Sequence, residues 1–139
     1  MISSSTKDSI IVMKFGGTSV QTEESRKHVI KHIRRNVELG KKVVAVVSAM
    51  GRKGDPYATD TLISILKDIG EPVNPAELDS VMSIGERLSS AYFSHLLTMS
   101  GMPAVAFTGG QAGILTDDNP GNAEILEINT FRILKALNE

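Results

Sequence analysis

Residues 42–48 read KVVAVVS, with five consecutive apolar positions between a lysine and a serine. A strand with one wet face alternates apolar and polar residues, whereas an unbroken run is expected of a strand covered on both faces, as in a parallel sheet. Parallel neighbours are joined by a crossover, usually a helix, so one such run constrains the connections around it. Residues 9–15, SIIVMKF, have the same character and stop at a Gly-Gly pair. Between the two runs, residues 23–38 place Val29, Ile30, Ile33 and Val37 on one helical face, and Gly40 follows as a stop.

The remainder continues in the same style. Residues 60–69 read as a helix, and after the breaker EPVNP a long helical period runs over 76–99 through Leu78, Val81, Met82, Leu88, Tyr92, Leu96 and Met99. Residues 103–108, PAVAFT, read as a third strand. The turn-rich stretch that follows suits small strands or a hairpin, and Asn129 can cap a last helix over 130–137. The order β-α-β-α-α-β predicts an α/β fold of three layers, α/β/α, with a mainly parallel sheet and right-handed crossovers. Ligands of such sheets collect at the carboxyl ends of the strands. That edge would carry residues 14–19, 48–54 and 108–113, three loops rich in glycine and hydroxyls.

Composition narrows the chemistry. The chain has 139 residues, which suits one domain, and a formal net charge of −1, which gives no bulk attraction for nucleic acid or an acidic membrane. It has no cysteine, so disulfides and cysteine-based zinc or nucleophile chemistry are excluded. Residues 1–8, MISSSTKD, lack the apolar centre of a signal peptide and read as a flexible tail. The longest apolar run is too short to cross a bilayer, so a cytoplasmic protein is expected.

Several residue groups could carry chemistry, and each has an ordinary alternative. Lys14 precedes Phe15, Gly16 and Gly17, with Ser19 close behind. Glycines expose backbone N–H groups and a lysine adds a point charge, which suits an anion, but the pattern is neither of the common phosphate-loop signatures and also fits a plain strand-to-helix turn. Ser48 ends the second strand, and Thr59 and Asp60 begin the next helix as ligand contacts or as caps. Gly85 stands inside the long helix, where glycine costs roughly 1 kcal/mol against alanine, so a close neighbour is expected there. Glu86 beside it could receive an ammonium group or simply face water. His28 and His32 have metal-ligand spacing without an evident third ligand, and Asp117 and Asp118 read as a turn, so no metal site is expected.

Together these segments resemble the aspartokinases of the amino acid kinase superfamily. KFGGTSV at 14–20 is similar to the family signature, VVSAMG at 46–51 with TD at 59–60 to its second motif, SIGERLSS at 83–90 to its "GE" helix, and TGGQAGILTDDNPGNAEI at 108–125 to the segment after it. GRKGDPYATDTLI looks like the longer loop of bacterial members. The resemblance implies transfer of the γ-phosphoryl of ATP, with Mg2+, to the β-carboxylate of L-aspartate. It implies that Lys14 bridges phosphates, with Phe15, Gly16, Gly17 and Ser19 in the same phosphate site and Ser48 at the nucleotide–substrate junction. It places Thr59 and Glu86 on aspartate, with Glu86 toward the α-ammonium.

Family members continue beyond the point matched by Glu139, so residues 9–139 would form the aspartate-side lobe of a kinase domain incomplete at its C-terminal side. Glu124 stands where a basic residue is common. The implied partner is the missing C-terminal half, or a second copy through the open sheet edge. A non-catalytic binding or assembly module of the same fold is the competing reading. A kinase for glutamate or a carbamate fits the KFGGTSV and GE pair less well.

Overall fold

The structure, a computed structural model, describes residues 9–139; the tail expected over 1–8 lies outside the described residues. Strand β1 (Ile10–Phe15) leads through a one-turn helix α1 (Gly17–Val20) into α2 (Glu23–Glu38), which returns the chain to β2 (Lys42–Val47). The two strands pair in parallel from Ile10 opposite Lys42 to Phe15 opposite Val47. Local chemistry fixes the crossover. The Thr22 hydroxyl accepts from the Ser25 N–H at 3.0 Å, and Glu23 and Glu24 occupy the positive end of α2. At the other end Gly40, at φ 77°, donates to the Val37 carbonyl and turns the chain toward β2.

Helix α3 (Thr59–Lys67) and the long α4 (Pro75–Met99) follow. Asn74 accepts from the Ala76 N–H, and Pro75 occupies the first helical position, where its missing N–H costs nothing. Gly85, Ser89, Phe93 and Leu97 are buried at four-residue spacing along α4. Phe93 and Leu97 join Phe15, Val20, Val29, Ile33, Met50 and Met102 in the core, with Met13, Val43 and Val47 packed against it. Strands β3 (Ile114–Thr116) and β4 (Ile125–Ile128) form a small antiparallel hairpin with a bulge at Leu115/Thr116. Helix α5 (Phe131–Ala136) follows, with Thr130 and not Asn129 as its N-cap; the Asn129 side chain, one residue earlier, accepts from the Phe131 N–H.

Three sequence expectations are corrected. Residues 103–108 do not pair as a strand. The carbonyls of Ala104 and Phe107 accept from Ser94 and Ser90 of α4, at 3.1 and 3.5 Å, and no neighbouring strand takes them up among the described residues. The β1–β2 pair is not covered on both faces either. Residues Met13, Val43 and Val47 pack on the core, but Val12 is 66% exposed and Ile10 and Val46 also face outward, because no described element lies over that face. Finally, the Gly-Gly turn contains the helical turn α1, with Gly16 extended at its N-cap position.

Gly85 meets its expected neighbour. A Cβ there would lie 3.0 Å from the Ala49 Cβ and 3.3 Å from the Tyr57 carbonyl oxygen, so the β2–α3 loop rests directly on the helix backbone. Gly85→Ala gains about 1 kcal/mol of helix propensity but must push that loop away, and overpacking of this kind costs about 1–3 kcal/mol. A Tm lower by a few degrees is expected in a thermal melt followed by circular dichroism; an unchanged or higher Tm would show that the loop yields freely.

Candidate functional site

The parallel pairing sets the carboxyl ends of β1 and β2 side by side. Lys14 lies opposite Val46 on the outward face, and the Ser48 N–H donates to the Phe15 carbonyl at 3.0 Å, which carries the register one residue past the strands. Ala49 is the next link. Its carbonyl lies 3.9 Å from where a Gly17 side chain would begin, and its methyl meets Gly85 on the other side. The Tyr57 carbonyl, two residues before Thr59, also rests on Gly85. Four separate sequence motifs are thus joined through one loop: the lysine-glycine turn, the end of β2, the start of α3 and the Gly85-Glu86 turn of α4.

The glycine pair after β1 differs from Gly40 and Gly113, and is like Gly109 and Gly110, in being required by neither backbone shape nor packing. Gly40 and Gly113 have positive φ, and a side chain on Gly113 would collide with the Asn129 carbonyl. Gly16 and Gly17 have no positive φ; a Cβ on Gly16 would meet nothing within 4 Å, and one on Gly17 only an ordinary contact. Neither backbone shape nor packing requires glycine here. What glycine leaves is unobstructed approach to the N–H groups that open α1, which have no carbonyl within the helix to bond.

The polar side chains around this turn have no protein partner among the described residues. Lys14 and Glu86 are exposed and join no ion pair, while the hydroxyls of Ser19, Ser48 and Thr59 are part-buried and make no hydrogen bond. The capping alternative for Thr59 is not what the structure has: Ala58 is the N-cap of α3, and no side chain closes that cap. Asp60 sits in the first turn, and Thr61 accepts from the Gly54 N–H within the loop.

The other expected features resolve as follows. The 108–113 loop closes on itself, with Thr108 and Gln111 exchanging backbone-to-side-chain bonds at 3.0 and 3.2 Å. Asp117 accepts from the Asn119 and Glu124 N–H groups, as a turn residue does. His28 and His32 line a shallow cavity of about 340 Å³ together with Phe15, Ser19 and Ser25. Among the described residues no group of three His, Cys, Asp or Glu side chains could hold a metal ion.

Two contributors escape sequence reasoning. Arg26 of α2 donates to the carbonyls of Val20 and Gln21 at 2.9 and 3.1 Å and lies over the Tyr92 ring at 5.3 Å, which anchors the turn after α1. Ser89, fully buried, accepts from the Met50 N–H at 2.8 Å. Its one signal in the sequence is its place one helical turn after Gly85, on the same face.

The amino acid kinase family pattern matches residues 9–139. The chain is 48% identical over 128 residues to Aspartokinase 1 of Bacillus subtilis, a match that covers 92% of this chain and 32% of the relative. It is 43% identical over 130 residues to the Aspartokinase of Geobacillus stearothermophilus, covering 94% and 31% of the two chains. The crystal structure of aspartate kinase from Synechocystis superposes with a TM-score of 0.65 at 39% identity, over 76% of this chain and 17% of that one. The chain therefore spans about a third of the length of the curated relatives it matches. No helix among the described residues is long and apolar enough to cross a membrane.

Proposed function

The chain belongs to the amino acid kinase family, and from that premise we propose that it forms the aspartate-side lobe of an aspartate kinase, which phosphorylates the β-carboxylate of L-aspartate at the expense of ATP. The observation that carries this reading is the turn after β1, where two glycines unexplained by backbone shape or packing open N–H groups beside the unpartnered Lys14. The relatives it matches are named aspartokinases, and the resemblance of KFGGTSV and the GE helix to that family favours aspartate over glutamate or a carbamate as acceptor.

Bound ATP supplies the phosphoryl group, whose bond to the ADP oxygen breaks as a bond to the aspartate β-carboxylate oxygen forms. The residues present fit its phosphates: Lys14 offsets charge on the transferring oxygens, and the N–H groups at Gly16 and Gly17 donate to them. Phe15, whose side chain is buried in the core, fixes the strand end that presents Lys14. Ser19 and Ser48 flank the transfer point with free hydroxyls. Thr59 holds aspartate, and Glu86 takes its α-ammonium as a carboxylate takes any cation. Mg2+ commonly binds through one or two carboxylates plus phosphates; the described residues offer no preformed cluster for it.

In the three-layer arrangement we propose, the outward face of β1 and β2 packs against further kinase-domain chain of the kind the longer relatives carry. By itself, the 139-residue chain is expected to self-associate through that face or through Ile125, Ile128 and Leu134, all exposed. Sedimentation at micromolar concentration tests this: dimers or larger species with bound apolar dye are expected, and a clean monomer without dye binding would contradict it.

The functional reading is tested by a chimera in which residues 9–139 replace the matching segment of the Bacillus subtilis relative. Coupled ADP release that depends on aspartate is expected from the chimera and not from the 139-residue chain alone. Release driven by glutamate in preference to aspartate would overturn the assignment. A folded chimera with no ADP release above background for any acceptor would favour the binding-module reading.

A further inference from the structure

The β2–α3 loop carries Ser48 at one end and reaches Thr59 at the other, yet it has few regular bonds of its own. Between these ends, Asp55 accepts from the Arg52 N–H at 2.7 Å through its side chain, and the Ala58 N–H donates to the Asp55 carbonyl at 3.1 Å. These bonds shape the distal part of the loop. The part next to Ser48 is held differently: the Met50 N–H donates across the molecule to the Ser89 hydroxyl, a residue 39 positions later, and this bond is buried. Ser89 is 0% exposed, and it is the buried polar side chain of the described core. A polar group in that position without a function in holding something would be an unrewarded burial.

Geometry multiplies its effect. Ser89 lies one turn from Gly85, so the helix presents a flat site at 85 and an acceptor at 89 to consecutive parts of the same loop. The Gly85 surface sets how closely Ala49 and Tyr57 approach, and the Ser89 hydroxyl sets where the chain stops along the helix. Met50 itself is buried beside Phe15 and Val20 in the core, so a shift of its amide is felt at the turn after β1 as well. Glu86 is on this same turn of α4. One helical turn thereby carries both the residue assigned to the α-ammonium and the two that locate the loop bearing Ser48 and Thr59.

We propose that Ser89 is a positioning residue for the acceptor site: through the Met50 amide it fixes the loop from Ser48 to Thr59 against Glu86, so that the two ends of aspartate are held at one spacing. This rests on the functional reading above. Ser89 touches no substrate; its influence passes through the backbone, and it should therefore appear in the KM for aspartate more than in the KM for ATP.

The experiment has two arms. In the 139-residue chain, hydrogen exchange at the Met50 amide is measured for the parent, Ser89→Cys and Ser89→Ala. Exchange should rise in that order, because a thiol fills the space but accepts weakly and a methyl does not accept at all. In the chimera, Ser89→Ala should raise the KM for aspartate about 10-fold, the usual scale for a buried donor left without its acceptor, while the KM for ATP stays within about 3-fold of the parent, since uniform loss of fold would move both. Ser94→Ala, which removes a hydroxyl of the same helix from the Ala104 carbonyl, is the control and should leave the aspartate KM unchanged. Unchanged Met50 exchange in Ser89→Ala, or an aspartate KM that moves no more than that for ATP, overturns the positioning role alone. A parent chimera that folds but phosphorylates no aspartate overturns the functional reading and the positioning role with it.

Discussion

Replacing Lys14 by alanine is expected to lower kcat of the chimera at least about 100-fold, the usual scale for removing a charge that acts on the transition state. The KM values should change far less, because the ammonium matters most when charge is moving between the phosphoryl oxygens and the departing ADP. Position supports the size of the effect. Lys14 projects from the strand residue just before the buried Phe15, and its strand neighbour across the sheet is Val46, two residues from Ser48. It joins no ion pair among the described residues, so the mutation breaks none. Single-turnover kinetics with chimera in excess over ATP would separate transfer from product release. A kcat within a few-fold of the parent would remove Lys14 from the mechanism.

Glu86→Ala is expected to raise the KM for aspartate about 10- to 100-fold, the range for losing a hydrogen bond to a charged group. The KM for ATP should hardly move. Glu86→Gln keeps the acceptor oxygen and loses the charge, so it should fall between parent and alanine. Initial-rate kinetics with each substrate varied in turn read both constants. A change confined to ATP would assign Glu86 to the other substrate; no change in either would return it to the role of an exposed surface glutamate.

The sequence made the regular elements legible where periodicity was strong. The unbroken apolar runs became β1 and β2, the Val29–Ile33 stripe became the core face of α2, and Gly85 met the close neighbour that its helix position demanded. Residues 103–108 misled because PAVAFT has strand-like composition, but a strand exists only with a partner, and the serines of α4 take two of its carbonyls instead. The expectation of two covered faces came from apolar content alone, and content does not say which element, if any, lies over Val12 and Val46. Thr59 was open between cap and ligand because both uses favour the same residue type; only the backbone assigns the cap to Ala58. Ser89 was invisible because a serine in a helix is common, and its partner Met50 is distant in sequence.

On the proposed function, an acyl phosphate forms on the β-carboxylate of aspartate. Hydroxylamine attacks acyl phosphates and leaves a stable hydroxamate, so the product can be trapped and its position on aspartate determined by mass spectrometry. The chimera incubated with ATP, Mg2+ and hydroxylamine should yield aspartate β-hydroxamate in proportion to ADP released, with aspartate and not glutamate, and Lys14→Ala should abolish it. ADP release without hydroxamate, or hydroxamate on another carboxylate, would contradict the assignment.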